Sequence, residues 1–247
     1  MRWICFVLFG IMIGIQPTQS SDKESVKLST EVYKHSPKFT RIDSQTLKFE
    51  GPIQSGTYND YLKNINDATT TLIVDSSGGD SFEAVRMGLD IYKRNLTVIV
   101  DGIALSSAAN YLFLAGRKKI IRKGCIGFHG NAQAFMKKTT FKDFCEDIQN
   151  KLKKQKIVPK DNICYETKKE YEKTITFEKE FYKKTGVSQA LFDLTQTDEK
   201  GLKTNLGEKF VFLIPSAYTL KKFGVTNVEG ESDVHYAELL GLRVIYY

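Results

Sequence analysis

The sequence predicts an α/β fold of stacked βαβ units around a mostly parallel sheet, with one long helical excursion. Three observations predict it. From residue 46 onward, short β-rich apolar runs alternate with helical patterns, and strands that alternate with helices assemble into parallel sheets. The run at 71–75 is apolar without the polar alternation of a half-exposed strand, as a strand buried on both faces requires. Glycine then vanishes from 131 to 185, where charged helical stretches fill 141–156 and 165–184.

The elements run in order. Residues 46–50 are a strand, and 57–67 are a helix with Tyr58, Tyr61, Leu62 and Ile65 on one face. The strand at 71–75 ends in Ser76-Ser77-Gly78-Gly79-Asp80, a turn signal, with Ser81 as the expected cap of the next helix. Phe82, Val85, Met87, Leu89 and Tyr92 populate that helix as far as about Asn95. A strand at 96–100, a helix at 106–115 and strand segments at 119–121 and 125–129 complete the core pattern. The helical excursion spans about 131–184, and Ile175, Phe177 and Phe181 supply apolar positions on its second long helix. Strand returns at 210–214, succeeded by a helix at 216–223 that Gly224 stops.

The whole chain bounds what these elements can be. Its 247 residues suffice for one sizeable α/β domain. The net charge is +7, yet the lysines are scattered and no basic-aromatic motif accompanies them; a solvated surface is the reading, with no nucleic-acid partner. Arg2 precedes an apolar run at 3–15, too short for a bilayer span of ~20 residues. A cleaved signal peptide over 1–20 is expected, with an uncleaved anchor as the alternative. The expected organisation is a polar segment at 21–45 and one domain over 46–247, exported to a periplasmic or secreted location and without a membrane span after cleavage. Export leaves Cys125, Cys145 and Cys164 in an oxidising compartment. Cys145 and Cys164 flank a lysine-rich segment with Pro159, so a disulfide between them is a candidate, with Cys125 free. No Cys/His spacing suggests a metal site.

Three features carry chemistry. Ser77-Gly78-Gly79 comes directly after a buried strand, where two glycines let the chain turn tightly and present unobstructed N–H groups to an anion. Alone, this is also an ordinary strand exit. Residues 102–110 (Gly-Ile-Ala-Leu-Ser-Ser-Ala-Ala-Asn) crowd small side chains at the start of an apolar helix. A serine there lies near unsatisfied N–H groups and the positive end of the helix dipole, or simply caps the helix. Gly127-Phe128-His129-Gly130 places a histidine at a strand end, where a general base can be held within reach of a nucleophile.

Together and in this order, the Gly-Gly turn, the serine helix ending in Leu114-Ala115-Gly116, the basic stretch and Gly-Phe-His resemble the ClpP family of serine proteases within the ClpP/crotonase superfamily. The resemblance is closest to exported, ClpP-like bacterial proteins. It covers about 46–130 and returns at 185–198 and 210–227. Counting back from Ala115-Gly116, the family's nucleophile falls on Ser107 rather than Ser106, and its histidine on His129. The resemblance places the oxyanion hole on the N–H groups of Gly79 and Ala108. Two departures are visible: Ser77 stands where the family turn has proline, and residues 199–209 look inserted. The orienting carboxylate falls at about Asp198 or Glu199, with Asp198 chosen and Asp193 behind it.

The resemblance implies an exported serine peptidase that needs no cofactor, acts on a peptide or protein substrate and forms homo-oligomers. The chain shows no P-loop, so it carries no ATPase domain of its own. The alternatives are a catalytically inactive scaffold or binding protein, favoured by the open position of the third carboxylate and by the missing turn proline, and a crotonase-like acyl-CoA enzyme.

Overall fold

The structure is a computed structural model and describes residues 36–138, 140–154, 156–158, 162–195, 212–240, 242 and 244–247. The chain enters at β1 (Lys38–Arg41) and reverses into β2 (Thr46–Glu50), antiparallel to it. Asp43 makes this turn, its carboxylate accepting the N–H groups of Gln45 and Thr46 at 2.7 and 2.8 Å, the local bonding by which aspartate favours turns. Helix α1 (Thr57–Asn64) crosses to β3 (Thr71–Ser76), and α2 (Ser81–Lys93) crosses to β4 (Thr97–Leu105). A π-helix (Ala108–Phe113) leads on to β5 (Lys118–Gly127), and β7 (Val228–Glu229) joins its outer edge much later in the chain. The resulting sheet has six strands in the order β1-β2-β3-β4-β5-β7, parallel at every pairing except β1 with β2. The mostly parallel α/β sheet expected from the sequence is what the chain forms.

The central strands are largely apolar because both faces are covered over most of their length. In β4 the even positions Val98, Val100 and Ala104 enter the main core with Ala84, Met87 and Ile91 of α2 and Tyr111 of the π-helix, all fully buried. The odd positions Ile103 and Leu105 face the other way, with Cys125. They meet β6 (Phe212–Ile214), which pairs in parallel with β8 (Val244–Tyr246) as a separate two-stranded sheet, and α8 (Val234–Leu239). Each such aliphatic side chain contributes ~1.5–3 kcal/mol by leaving water. A short helix, α7 (Ala217–Lys222), comes after β6, with Ser216 accepting the Thr219 N–H as its cap.

The excursion comprises α3 (Ala132–Lys138), α4 (Phe141–Lys154) and α5 (Ile163–Thr185), with α6 (Ala190–Leu194) after it. Phe144, Ile148 and Leu152, spaced four apart, form one stripe of α4 and close a small core of their own with Ile163. The second half of α5 returns to the main core. Phe181 is fully buried with its ring edge-on to Tyr111 at 5.8 Å, and Phe177 meets Phe82 at 5.4 Å. Among the described residues no helix is long and apolar enough to cross a membrane.

Several local expectations are corrected. Asp80, not Ser81, caps α2, because its carboxylate reaches the N–H groups of Phe82 and Glu83 at 3.0 and 3.1 Å. The two strand segments near 119–121 and 125–129 are one strand, since β4 pairs with Lys123 and Gly124 between them. The predicted helix at 106–115 is π-helical over Ala108–Phe113. Cys145 and Cys164 lie together across the α4/α5 seam but are free thiols: the Cys164 Sγ is 3.9 Å from the Cys145 carbonyl oxygen and no S–S bond joins them. Cys125 is free and buried. Residues 1–20, expected as a signal peptide, lie outside the described residues.

Candidate active site

Sheet topology brings the three chemical motifs to one place. β3, β4 and β5 are adjacent and parallel, with Ser76 level with Ala104 and Leu105 level with Gly127. Their C-terminal ends therefore open side by side, where open parallel sheets hold their ligands. The Gly-Gly turn, the serine pair and His129 each sit just past one of these ends.

Ser106 occupies the sharp turn from β4 into the helix. Its φ is 55°, left-handed backbone that a serine rarely adopts and that costs of order 1–3 kcal/mol. Two backbone bonds hold it there: its N–H donates to the Gly127 carbonyl at 2.8 Å, and its own carbonyl accepts the Asn110 N–H at 2.8 Å. A strand–turn–helix corner with a strained hydroxyl residue at its apex exposes a nucleophile to the end of the sheet. The hydroxyl is not idle. Ser106 Oγ lies 2.6 Å from His129 Nε2.

The hydroxyl within reach of His129 is thus that of Ser106, whereas counting had led to Ser107. A π-helix follows the turn. Its i→i+5 turn accommodates one more residue than an α-helical turn between the same two ends. The family's spacing, counted back from Ala115-Gly116, stops one residue short of the apex. Ser107 lies just past it, and its Oγ–H donates instead to the Gly79 carbonyl at 2.9 Å.

Gly78 and Gly79 shape the opposite wall. Their φ values of 82° and 139° are closed to ordinary side chains. A Cβ on Gly78 would lie 2.8 Å from both the Ser106 Cβ and the Ser107 nitrogen, so glycine is what lets the turn approach the serines. Ile53 N–H donates to the Gly78 carbonyl at 2.8 Å and the Asp80 N–H to the Ile53 carbonyl at 2.9 Å. The N–H and C=O of Gly79, between those two bonds, face away from Ile53 and toward the serine turn. Ser107 begins the helix, so no intrahelical carbonyl reaches its N–H. Ser107 directly follows Ser106, and Ala108 is one residue further into the helix.

His129 is half-buried, its ring 5.4 Å from that of Phe212. Burial pushes its pKa down to about 4, against a smaller upward pull from a hydrogen bond to its own backbone. The imidazole is neutral at physiological pH and can accept a proton. Asp198, the expected orienting carboxylate, lies outside the described residues. Asp193 is engaged elsewhere: its two oxygens accept from Lys137 Nζ at 2.7 Å and Gln189 Nε2 at 3.0 Å.

A buried polar network lies beyond His129 and was not foreseen. Glu178 of α5 is fully buried and accepts the Ala132 and Gln133 N–H groups, each at 3.0 Å, as well as the Tyr111 hydroxyl. Asn110 Nδ2 donates to the Gly130 carbonyl at 2.6 Å, and the Asn131 and Gln189 side-chain amides pair at 2.9 and 3.0 Å. No chemical motif singles out Glu178, whose partners are more than forty residues away in the chain. Among the described residues no group of three His, Cys, Asp or Glu side chains is placed to hold a metal ion. No protein-family model and no curated protein matches this chain.

Proposed function

We propose that this chain is an exported serine hydrolase of the ClpP/crotonase type, cleaving peptide bonds without a cofactor, with Ser106 as nucleophile and His129 as general base. The 2.6 Å contact between the Ser106 hydroxyl and His129 Nε2 carries the reading. Ser106 Oγ attacks the carbonyl carbon while Nε2 takes its proton, and the carbonyl electron pair moves onto oxygen. The N–H groups of Gly79 and Ser107 receive that oxyanion. Collapse expels the amine, protonated by His129, and leaves an ester on Ser106. Water, deprotonated by the same histidine, then releases the acid and restores the serine. The choice of peptide bonds, the export and the self-association rest on the resemblance and on the N-terminal pattern of the sequence.

A fluorophosphonate probe tests the reading. Wild type is expected to label, Ser106→Ala to abolish labelling, and Ser107→Ala to slow it by about fivefold, the worth of one ordinary hydrogen bond. Loss of labelling in Ser107→Ala with retention in Ser106→Ala overturns the assignment of the nucleophile. Folded wild type that does not label at all returns the chain to an inactive binding scaffold.

A further inference from the structure

We infer that Glu178 and Asn110 are positioning residues for His129, so that the long excursion helix α5 is a working part of the site. The inference rests on the Ser106–His129 reading and deepens it. His129 stands at a strand end, and the next residue, Gly130, has φ 110°, the freest kind of link. Left to itself such a link would let the imidazole swing away from Ser106. The residues beyond His129 are instead gripped from other elements. Asn110, one turn past Ser106 in the π-helix, holds the Gly130 carbonyl at 2.6 Å. Asn131 is locked to Gln189. Glu178 takes the N–H groups of both Ala132 and Gln133, capping α3 from outside its own sequence, and also accepts the hydroxyl of Tyr111, the neighbour of Asn110.

Serine and histidine are thereby referred to one frame. The π-helix that starts beside Ser106 carries both Asn110 and Tyr111, and Glu178 links Tyr111 to the segment that starts beside His129. A carboxylate is the group suited to this post: its two oxygens accept three donors at once, while an amide of the same shape would turn an N–H₂ toward one of them. Burying a charge with no cationic partner among these contacts is costly. That cost is consistent with a role in geometry rather than in stability alone.

The experiment compares wild type, Glu178→Gln, Asn110→Ala and Tyr111→Phe, using the native full chain with circular dichroism to select folded samples. Fluorophosphonate inactivation is resolved into its maximal rate and its half-saturating concentration across pH, and the His129 ring nitrogens are tracked by NMR. Glu178→Gln is expected to lower the maximal rate at least tenfold with half-saturation within about twofold, and to move the His129 titration upward from about 4 toward the ordinary range. Asn110→Ala should act in the same direction. Tyr111→Phe, which removes one donor and keeps the ring, should fall between. Folded Glu178→Gln and Asn110→Ala that react at the wild-type rate, with an unchanged His129 titration, overturn the inference while leaving the hydrolase reading intact. Wild type that does not label, but whose His129 titration still shifts in Glu178→Gln, overturns the hydrolase reading and leaves the positioning role standing.

Discussion

Replacing His129 by glutamine should change how stability depends on pH, and by an amount that the structure sets. An exposed histidine titrates near 6.5, whereas burial holds His129 at about 4. Between those values the unfolded chain binds a proton that the folded chain refuses. Stability must therefore fall as pH drops from about 6.5 to about 4, with no contribution from this residue to the slope above or below that window. The full difference corresponds to about 3 kcal/mol, a large share of the 5–15 kcal/mol typical of a folded domain. Other groups act with the opposite sign: burial raises the carboxyls of Asp80, Asp75 and Glu178, so acid favours the folded state through them. The informative quantity is thus the difference between wild type and His129→Gln, in which those terms cancel. Urea denaturation monitored by circular dichroism at intervals from pH 7.5 to 4 measures it. Wild type should lose about 3 kcal/mol more than the variant over that range. Parallel loss in the two proteins, within about 0.5 kcal/mol, would refute the claim that the imidazole is held neutral by burial. The same property gives the proposed base a wide working range, so labelling of Ser106 should be flat above about pH 5 and fall only as pH approaches 4.

Two other buried groups give further outcomes. Asp80 caps α2 with one oxygen while burial pushes its carboxyl up to about 6. Asp80→Asn keeps the acceptor without the charge, so it should stabilise the protein at pH 7 by about 1–3 kcal/mol, an advantage that fades as pH falls from 6 toward 4. Cys125 is fully buried and its thiol is pushed up to about 12. Iodoacetamide should leave it unmodified in native protein at pH 8 and alkylate it in urea, as read by mass spectrometry; equal rates in the two states would show that this face of the sheet opens locally.

Much of the fold was legible because the central strands advertise their burial. Residues 71–75 are apolar without alternation, a pattern that only a strand covered on both sides can use. The edges were harder. β1 (KFTR) and the two-residue β7 (VE) expose much of their side-chain surface and have too little apolar character to stand out. What makes them strands is pairing with β2 and β5, supplied by tertiary contact rather than local preference. Separating β5 into two pieces has a related cause. Arg122 and Lys123 interrupt its apolar run, yet Arg122 is exposed and ion-paired to Asp101 at 2.8 Å, so the backbone continues through a locally solvated stretch.

The parts of the candidate site are unequally legible in the sequence. Gly79 and His129 stand just past strand ends, and strand ends are readable. The choice of Ser107 over Ser106 rests on matching the family's spacing back from Ala115-Gly116, which presumes that both chains wind this segment alike. A π-helical segment leaves no mark in composition: Ala108, Ala109, Asn110, Tyr111, Leu112 and Phe113 suit an α-helix as well as a wider one. Nor does the left-handed φ of Ser106 show in the sequence, since glycine or asparagine would signal it and serine does not. The extra residue has a place in the structure. The wide turn presents Asn110 to Gly130 and Tyr111 to Glu178 while Ser106 still meets His129. Deleting one residue from the π-helix should restore an α-helical path but rotate those two side chains off their partners. Two adjacent serines then offer a direct contrast, mapped by peptide mass after fluorophosphonate labelling: the corner at the end of β4 should keep Ser106 as the labelled residue, at a rate lowered by the lost contacts to Gly130 and Glu178. Labelling that moves to Ser107 would show that the helix, and not the corner at the end of β4, decides which hydroxyl His129 meets.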